Sequence, residues 1–211
     1  MNVAVKICGL NDPAAVAAAA ESDFAGFVFF PRSPRHLEPE AAGALAAALP
    51  ARVRRVAVTV DADDALLAAI IAGLRPDLIQ LHGRETPARA AGIRGRFGVA
   101  TIKALAIAEP QDLDAAATYD DAVDWLLFDA RPPARPDALP GGNAVSFDWR
   151  MLTGRVFARP WFLSGGLGPA NVRAAIAASG AAAVDVSSGV ESAPGRKDPD
   201  LIASFLRAAR G

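Results

Sequence analysis

The sequence has little of what secreted, membrane-spanning or disulfide-linked proteins need. Its 211 residues include one cysteine, Cys8, so no disulfide can form within the chain, and any chemical role of this side chain is that of a thiol. No segment approaches the roughly 20 consecutive apolar residues of a membrane span. Residues 1–10 lack the basic start and the small-residue cleavage site of a secretory signal. We therefore expect a cytoplasmic protein with no membrane partner.

The sequence also has no excess of charge of one sign. The formal net charge is −1, so the chain has no overall field that would gather nucleic acid. A hydrophobic content of 52% allows a substantial core. The apolar helix faces serve that core, and no second exposed stripe is evident. We expect a monomer rather than a homodimer, acting on a small molecule and with no nucleic-acid partner.

Short β-branched or aromatic runs alternate with longer Ala/Leu-rich amphipathic segments along the whole sequence. This alternation is typical of repeated βα units around a parallel sheet. Eight strands are predicted, at residues 3–7, 25–29, 54–60, 78–81, 99–103, 125–128, 160–163 and 183–186, with helices between them. Side-chain acceptors in Asn11-Asp12-Pro13, Asp63-Asp64 and Asp198-Pro199 mark three helix starts. The sequence predicts an α/β fold, a single parallel eight-stranded (βα)₈ barrel catalytic domain over residues 1–211.

The sixth unit departs from this pattern. After Phe128 the chain contains Arg131-Pro132-Pro133 and Pro140-Gly141-Gly142 before Phe147, instead of a helix that follows at once. We interpret this stretch as a mobile active-site loop, with a disordered insertion at the barrel rim as the alternative.

Polar residues occupy positions on the strands that should face the barrel interior. Side chains alternate between the two faces of a strand, and the apolar set suits packing against helices. The inward polar set comprises Lys6, Cys8, Gln80, His82, Asp129 and Asp185. Most lie at the carboxyl ends of strands, where barrel enzymes keep their catalytic groups. Because the first and eighth strands are neighbours in a closed barrel, we predict that Lys6 and Asp185 form an ion pair there.

Each candidate also has an ordinary structural interpretation. Cys8 can be an inert small hydrophobic residue, although Lys6 is expected to lower the pKa of the thiol if Asp185 does not neutralise it fully. His82 fits structural positioning as well as proton transfer. Asp129 is harder to explain by packing alone, because an unpartnered carboxylate is costly at the end of an apolar strand.

Glycine and serine follow the seventh and eighth strands. Gly165 and Gly166 allow backbone N–H groups to approach an anion, and the second loop has Ser187, Ser188 and Gly189. Loops at these two places commonly form a phosphate site in barrel enzymes, although both can also be ordinary turns. After the second strand, Arg32 and Arg35 suggest a carboxylate site, with surface solvation as the alternative for Arg32. The inferred ligand carries phosphate at one end and carboxylate at the other.

Several motifs occur together in an order that resembles the phosphoribosylanthranilate isomerase family of tryptophan biosynthesis. They are Lys6-Ile7-Cys8-Gly9, Gly26-Phe27-Val28-Phe29 with Ser33-Pro34-Arg35, Gln80-Leu81-His82-Gly83, Leu163-Ser164-Gly165-Gly166-Leu167 and Asp185-Val186-Ser187-Ser188-Gly189-Val190-Glu191. The resemblance extends through Gly195-Arg196-Lys197-Asp198 and so covers essentially the whole chain.

The resemblance implies an Amadori rearrangement of N-(5′-phosphoribosyl)anthranilate without metal or organic cofactor. Asp129 matches the family's general acid, which protonates the ring oxygen as the sugar opens, and Cys8 matches the general base, which takes the C2′ proton. Arg35 matches the ligand of the anthranilate carboxylate, and the glycine and serine loops match the phosphate site. His82 and Asp185 are further expected substrate contacts.

Two departures from the family pattern and two alternatives remain. The loop after the catalytic Asp has Gly141-Gly142-Asn143-Ala144 instead of Gly-Gly-Ser/Thr-Gly. Thr59 replaces an expected aromatic residue and so alters the expected third-strand wall of the pocket. A related sugar-phosphate isomerase of histidine biosynthesis, or a barrel serving both pathways, would use two carboxylates, whereas the first strand here ends in Cys8. A non-catalytic phosphate-binding barrel is the other alternative.

Overall fold

Eight parallel strands form a closed barrel in the computed structural model, which describes residues 3–134, 139–143 and 145–211. The strands are β1 Ala4–Cys8, β2 Phe24–Phe29, β3 Arg54–Thr59, β4 Leu78–Leu81, β5 Ala100–Ile107, β6 Trp125–Ala130, β7 Trp161–Leu163 and β8 Ala183–Val186. Each strand pairs with its neighbour in sequence, and β1 pairs with β8 to close the barrel. The predicted fold is confirmed.

Helices lie between most of the strands. They are α1 Pro13–Ala18, α2 Pro39–Ala46, α3 Asp64–Leu74, α4 Pro87–Phe97, α5 Val172–Ser179 and α6 Pro199–Arg210. The predicted caps are confirmed, since the side chains of Asp12, Asp63 and Asp198 each accept a hydrogen bond from a backbone N–H in the first turn. A short hairpin, β9 Glu191–Ala193 with β10 Arg196–Lys197, follows the eighth barrel strand.

The prediction of a helix is wrong after β5, whereas the sixth unit lacks a prompt helix after its strand, as predicted. A 3₁₀ segment, Pro110–Tyr119, follows β5, and a short one, Trp149–Leu152, precedes β7. Strand β5 also continues to Ile107, four residues past its predicted end. Residues 104–107 have the composition of a helix, but they pair with β6 as far as Ala130. The neighbouring strand overrides local propensity here.

The apolar core has two layers. Between strands and helices lies the larger layer, to which β1 contributes Val5 and Ile7. The smaller layer fills the barrel interior, from Cys8 and Val28 beside the cavity to the amino ends of the strands. There the rings of Phe24, Trp125 and Phe162 contact one another, with centroids 4.9 to 5.8 Å apart. This aromatic floor fills one end of the barrel with apolar rings.

No helix within the described residues is long and apolar enough to span a lipid bilayer.

Helices α2 and α3 approach each other through two glycines. A Cβ on Gly43 would lie 2.1 Å from the carbonyl oxygen of Gly73, and a Cβ on Gly73 would lie 2.7 Å from the backbone of Pro39. Both distances are far below van der Waals contact. Glycine at these positions therefore sets the spacing of the two helices.

Replacing Gly43 with Ala should lower the free energy of unfolding by about 1–3 kcal/mol, because the methyl group must push the helices apart. The matched control is Gly92→Ala in α4, where an added Cβ meets nothing within 4 Å. That substitution should raise stability by about 0.5–1 kcal/mol through helix propensity alone. Urea denaturation of both variants measures the difference. Equal effects at the two positions would contradict the close-contact explanation.

Candidate active site

A cavity opens at the carboxyl ends of the barrel strands. Nine of the ten predicted site residues line this cavity: Cys8, Arg35, His82, Asp129, Gly165, Gly166, Asp185, Ser187 and Ser188. The barrel thus brings together side chains from β1, β4, β6 and β8 and from the loops that follow β2, β7 and β8.

Gly189 is the predicted site residue that does not line the cavity. A Cβ on Gly189 would lie 1.8 Å from the carbonyl oxygen of Leu167. The glycine therefore lets the loop after β8 pack directly against the loop after β7. Its contribution to the cavity is the spacing of these two loops.

Lys6 and Asp185 form the predicted ion pair inside the barrel. Lys6 Nζ donates to Asp185 Oδ1 at 2.7 Å, and both side chains are almost completely buried. The second oxygen, Asp185 Oδ2, accepts a hydrogen bond from the Ser164 hydroxyl at 3.1 Å. Although burial alone lowers the pKa of Lys6, the charges of Asp185 and Cys8 raise it above its usual value. The prediction of a buried pair is confirmed.

Cys8 lies beside this pair because its neighbour on β2 is a glycine. Cys8 is in register with Gly26, and a Cβ on Gly26 would lie 3.2 Å from Cys8 Sγ and 3.3 Å from Lys6 Nζ. The missing side chain leaves room for the thiol and the ammonium group together. Lys6 lowers the pKa of the thiol, the effect expected if Asp185 does not neutralise it fully, but the net shift is upward. Burial raises the pKa of Cys8, and the opposing effects of Lys6 and Lys197 do not overcome it, because Asp185 also raises it.

Asp129, the next-to-last residue of β6, is a buried carboxyl with three near neighbours. Its Oδ1 accepts a hydrogen bond from the Ala130 N–H at 2.9 Å, and its Oδ2 lies 3.3 Å from His82 Nε2. The other ring nitrogen, His82 Nδ1, lies 2.8 Å from Gln80 Nε2. Gly141, in the loop after β6, lies against this group, since a Cβ there would be 2.8 Å from Asp129 Oδ2.

The loops after β7 and β8 have the backbone that an anion site needs. Gly165 and Gly166 have φ values of +86° and +65°, a left-handed conformation that favours glycine. A Cβ on Gly165 would also lie 2.7 Å from the Ala130 backbone nitrogen. Ser187 and Ser188 line the facing wall of the cavity. These residues form one polar end of the cavity.

Arg35 is less available than the sequence suggested. Its Nε and Nη2 donate to the two carboxylate oxygens of Glu191 at 2.7 and 2.8 Å. Lys197 Nζ also contacts Glu191 at 2.7 Å and donates to the Ser187 carbonyl at 2.9 Å. Against the effect of burial, Arg35 and Lys197 hold the pKa of Glu191 below its usual value. The third guanidinium nitrogen of Arg35, Nη1, takes no part in the ion pair with Glu191 and faces Gly142.

Glu191 and Lys197 belong to the quoted motifs, but the sequence predicts no role for them. Ser164, which binds Asp185, is predictable only as part of a glycine-rich loop. Arg32, the second predicted guanidinium, lines a neighbouring cavity on the β4–β6 side instead of the cavity that holds Cys8. The sequence offers one signal for Glu191, which is a carboxylate in a polar loop, three residues after Ser188.

Thr59, which departs from the family pattern, does not contribute to the third-strand wall of the cavity. Val58 and Val60 line the cavity, whereas Thr59 alternates with them, lies fully buried, and donates from its hydroxyl to the Gln80 carbonyl at 3.3 Å. In the loop after β6, residues 139–143 line the cavity, so Gly141-Gly142-Asn143 border the ligand space. Ala144 lies outside the described residues, as do residues 135–138 of the same loop.

Comparison with known proteins gives one consistent result. A model of the family described as N-(5′-phosphoribosyl)anthranilate (PRA) isomerase matches residues 5–208. Among relatives, the N-(5′-phosphoribosyl)anthranilate isomerase of Parvibaculum lavamentivorans is 53% identical, with 100% of this chain and 99% of that protein covered. Its counterpart from Paramagnetospirillum magneticum is 54% identical over 100% of this chain and 99% of that protein.

Solved structures agree with these relatives. A phosphoribosyl anthranilate isomerase from Thermotoga maritima superposes with a TM-score of 0.87 at 36% identity, covering 99% of both chains. Another phosphoribosyl anthranilate isomerase, in complex with reduced 1-(o-carboxyphenylamino)-1-deoxyribulose 5-phosphate, gives a TM-score of 0.83 at 34% identity, again over 99% of both chains.

The raised pKa of Cys8 predicts a pH-dependent loss of stability. Below about 8.5, the pKa of an unfolded thiol, both states keep the proton and Cys8 adds no slope. As pH rises from there toward the folded value, only the unfolded thiol ionises, so the free energy of unfolding falls, by at most about 1.4 kcal/mol per pH unit. Denaturant titrations of wild type and Cys8→Ala between neutral and alkaline pH measure this effect. Parallel curves for the two proteins would contradict it.

Proposed function

Since the chain belongs to the N-(5′-phosphoribosyl)anthranilate isomerase family, we propose that it performs this family's Amadori rearrangement with Cys8 as general base and Asp129 as general acid. It is an isomerase of this kind, an enzyme of tryptophan biosynthesis. The substrate is a phosphorylated small molecule, and the product is 1-(2-carboxyphenylamino)-1-deoxyribulose 5-phosphate. One observation carries the residue assignments: the thiol and the carboxyl line a single cavity with the two glycine and serine loops.

Asp129 would start the reaction by protonating the ring oxygen of the aminofuranose. The bond from C1′ to this oxygen then breaks, and the nitrogen lone pair forms a cationic Schiff base. The resulting carboxylate is stabilised by the Ala130 N–H and by the neighbouring His82 ring. This support for the developing charge favours Asp129 as the acid.

Cys8 would then take the proton from C2′ of the Schiff base, and the enolamine that results tautomerises to the ketone. A raised pKa leaves less thiolate at neutral pH but makes each thiolate a stronger base. Lys6 favours the thiolate through its charge. The cationic Schiff base itself would add a second positive charge near Cys8 and promote ionisation when it is needed.

The two ends of the substrate would occupy the two polar ends of the cavity. Backbone N–H groups at Gly165 and Gly166, with Ser187 and Ser188, would bind the phosphate. Gly189 would serve this site by allowing close packing of the loops. At the other end Arg35 would bind the anthranilate carboxylate through Nη1, while Glu191 holds the rest of the guanidinium in place.

His82 and Asp185 would contact the sugar part of the substrate, since both line the cavity beside the proposed acid and base. Asp185 is also the partner of Lys6. A substrate hydroxyl would therefore bind a carboxylate that is already oriented by the protein. No metal or organic cofactor is needed for this proton-transfer chemistry.

Of the alternatives, the isomerases of histidine biosynthesis need a second carboxylate where Cys8 lies at the end of β1. A barrel that only binds phosphorylated ligands would have no use for a buried carboxyl supported by N–H donors. Ligand binding without turnover would favour that alternative.

The test is to make the substrate in situ from anthranilate and phosphoribosyl pyrophosphate with the preceding enzyme and to follow the loss of its fluorescence. Wild type should turn over, and Cys8→Ala and Asp129→Asn should each lower kcat by at least about a hundredfold, the usual contribution of one acid or base. Asp121→Asn, an exposed carboxylate in the turn before β6, is the matched control and should keep full activity. Full activity of Asp129→Asn would refute the acid assignment.

We also propose that residues 1–211 form one catalytic domain that is monomeric and cytoplasmic. Among the described residues, the exposed large hydrophobic side chains are Val145 and Val156, and Val145 borders the cavity. They do not form the broad apolar patch of a stable dimer interface. Membership in an amino-acid biosynthesis family supports the cytoplasmic location.

Sedimentation velocity at micromolar concentration should give the mass of a single chain, because no extended apolar surface drives association. A relative from Thermotoga maritima is described as dimeric, so its sedimentation under the same conditions is a suitable reference. A species of twice the chain mass for this protein would contradict the proposal of a monomer.

A further inference from the structure

Gln80 has a buried side-chain amide at the base of the cavity. The proposed reaction gives this amide no role. It lies on β4, between Val58 of β3 and Ile102 of β5, and has no exposed surface. Its Nε2 lies 2.8 Å from His82 Nδ1. Its Oε1 is buried and has no hydrogen-bond partner among the described residues. An amide at this depth with one unmatched oxygen calls for an explanation.

The amide orientation determines where His82 carries its proton. An amide nitrogen only donates, so His82 Nδ1 must accept, and the proton of the neutral ring must be on Nε2. Turning the amide over would give Oε1 a partner but would leave the NH₂ group buried without one. An orphaned donor is rarer in proteins than an under-satisfied carbonyl oxygen. The observed orientation is therefore the less costly one.

The ring nitrogen that carries this proton lies beside the proposed acid. Nε2 is 3.3 Å from Asp129 Oδ2, a contact that lacks the alignment of a hydrogen bond, and catalytic hydrogen bonds often become aligned only when substrate binds. With the Ala130 N–H on Oδ1, each carboxylate oxygen then faces a donor. In the other tautomer the lone pair of Nε2 would face Oδ2 and would oppose the negative charge.

We propose that Gln80 is a positioning residue that fixes the tautomer of His82, so that His82 donates to Asp129 as the carboxylate develops. The inference rests on the proposed role of Asp129 as the acid. Gln80 itself touches no reacting atom and acts through the imidazole. When Asp129 gives its proton to the ring oxygen, the developing carboxylate draws the Nε2–H group into a hydrogen bond with Oδ2. The transition state gains more from this bond than the bound substrate does.

The tautomer can be observed directly, because the chain has only two histidines, His36 and His82. In ¹⁵N-histidine-labelled wild type, His82 should show a protonated Nε2 and an unprotonated Nδ1, with the signals assigned by their loss in His82→Gln. In Gln80→Glu the carboxylate can only accept, so Nδ1 should become protonated. A wild-type His82 with its single proton on Nδ1 would overturn the proposal without any variant.

Kinetics provide the second measurement. Gln80→Met removes the amide at similar volume and should lower kcat about tenfold, a modest share of the contribution of a general acid. KM should stay within about twofold, since no substrate contact is lost. His82→Gln replaces the ring with a donor that has no tautomers. In that background Gln80→Met should have little further effect on kcat.

An equal loss of kcat from Gln80→Met in both backgrounds would overturn the proposal, because the amide would then act independently of His82. Failure of the proposed function gives a different pattern. If Asp129→Asn turns over as fast as wild type, the acid assignment is lost, while the ¹⁵N spectra still decide whether Gln80 fixes the tautomer.

Discussion

The ion pair between Lys6 and Asp185 joins the first and last strands at the point where the barrel closes. The two residues are direct partners in the β1–β8 register, and their charged atoms are 2.7 Å apart in the interior. Neither charge is stable there alone, because removing an ion from water costs several kcal/mol. A one-residue shift of either strand would turn one of them toward the helices. The pair thus favours one register for the closing strands and holds a positive charge beside Cys8.

The same rule governs the rest of the polar interior. Arg35 and Lys197 share Glu191, and Lys103 is paired with Glu85 under the loop after β4. In both groups, a nitrogen of each buried cation lies within 2.8 Å of a carboxylate oxygen. The catalytic candidates differ, because Cys8 has a raised pKa and the Asp129 carboxyl accepts a hydrogen bond from the Ala130 N–H and lies beside His82 instead of a lysine or arginine. The two groups proposed to exchange protons are therefore left without a full counter-charge.

Glycine provides the space for this arrangement. Gly26 leaves room for Cys8 beside Lys6, and Gly141 lets the loop after β6 reach Asp129. Gly189 brings together the two loops of the proposed phosphate site. At the opposite end, the aromatic floor fills the barrel with apolar rings. The cavity with its polar side chains lies at the carboxyl ends of the strands.

The sequence by itself determined the eight strands, their order and the inward polar set, because a period of two along each strand fixes which side chains point into a barrel. It also predicted the Lys6–Asp185 pair, since closure makes the first and last strands neighbours. Only the tertiary structure decided the protonation of Cys8 and the pairing of Arg35 with Glu191. Both depend on burial and on partners more than 150 residues away along the chain. Desolvation and distant charge have no local pattern, so no spacing in the sequence could reveal them.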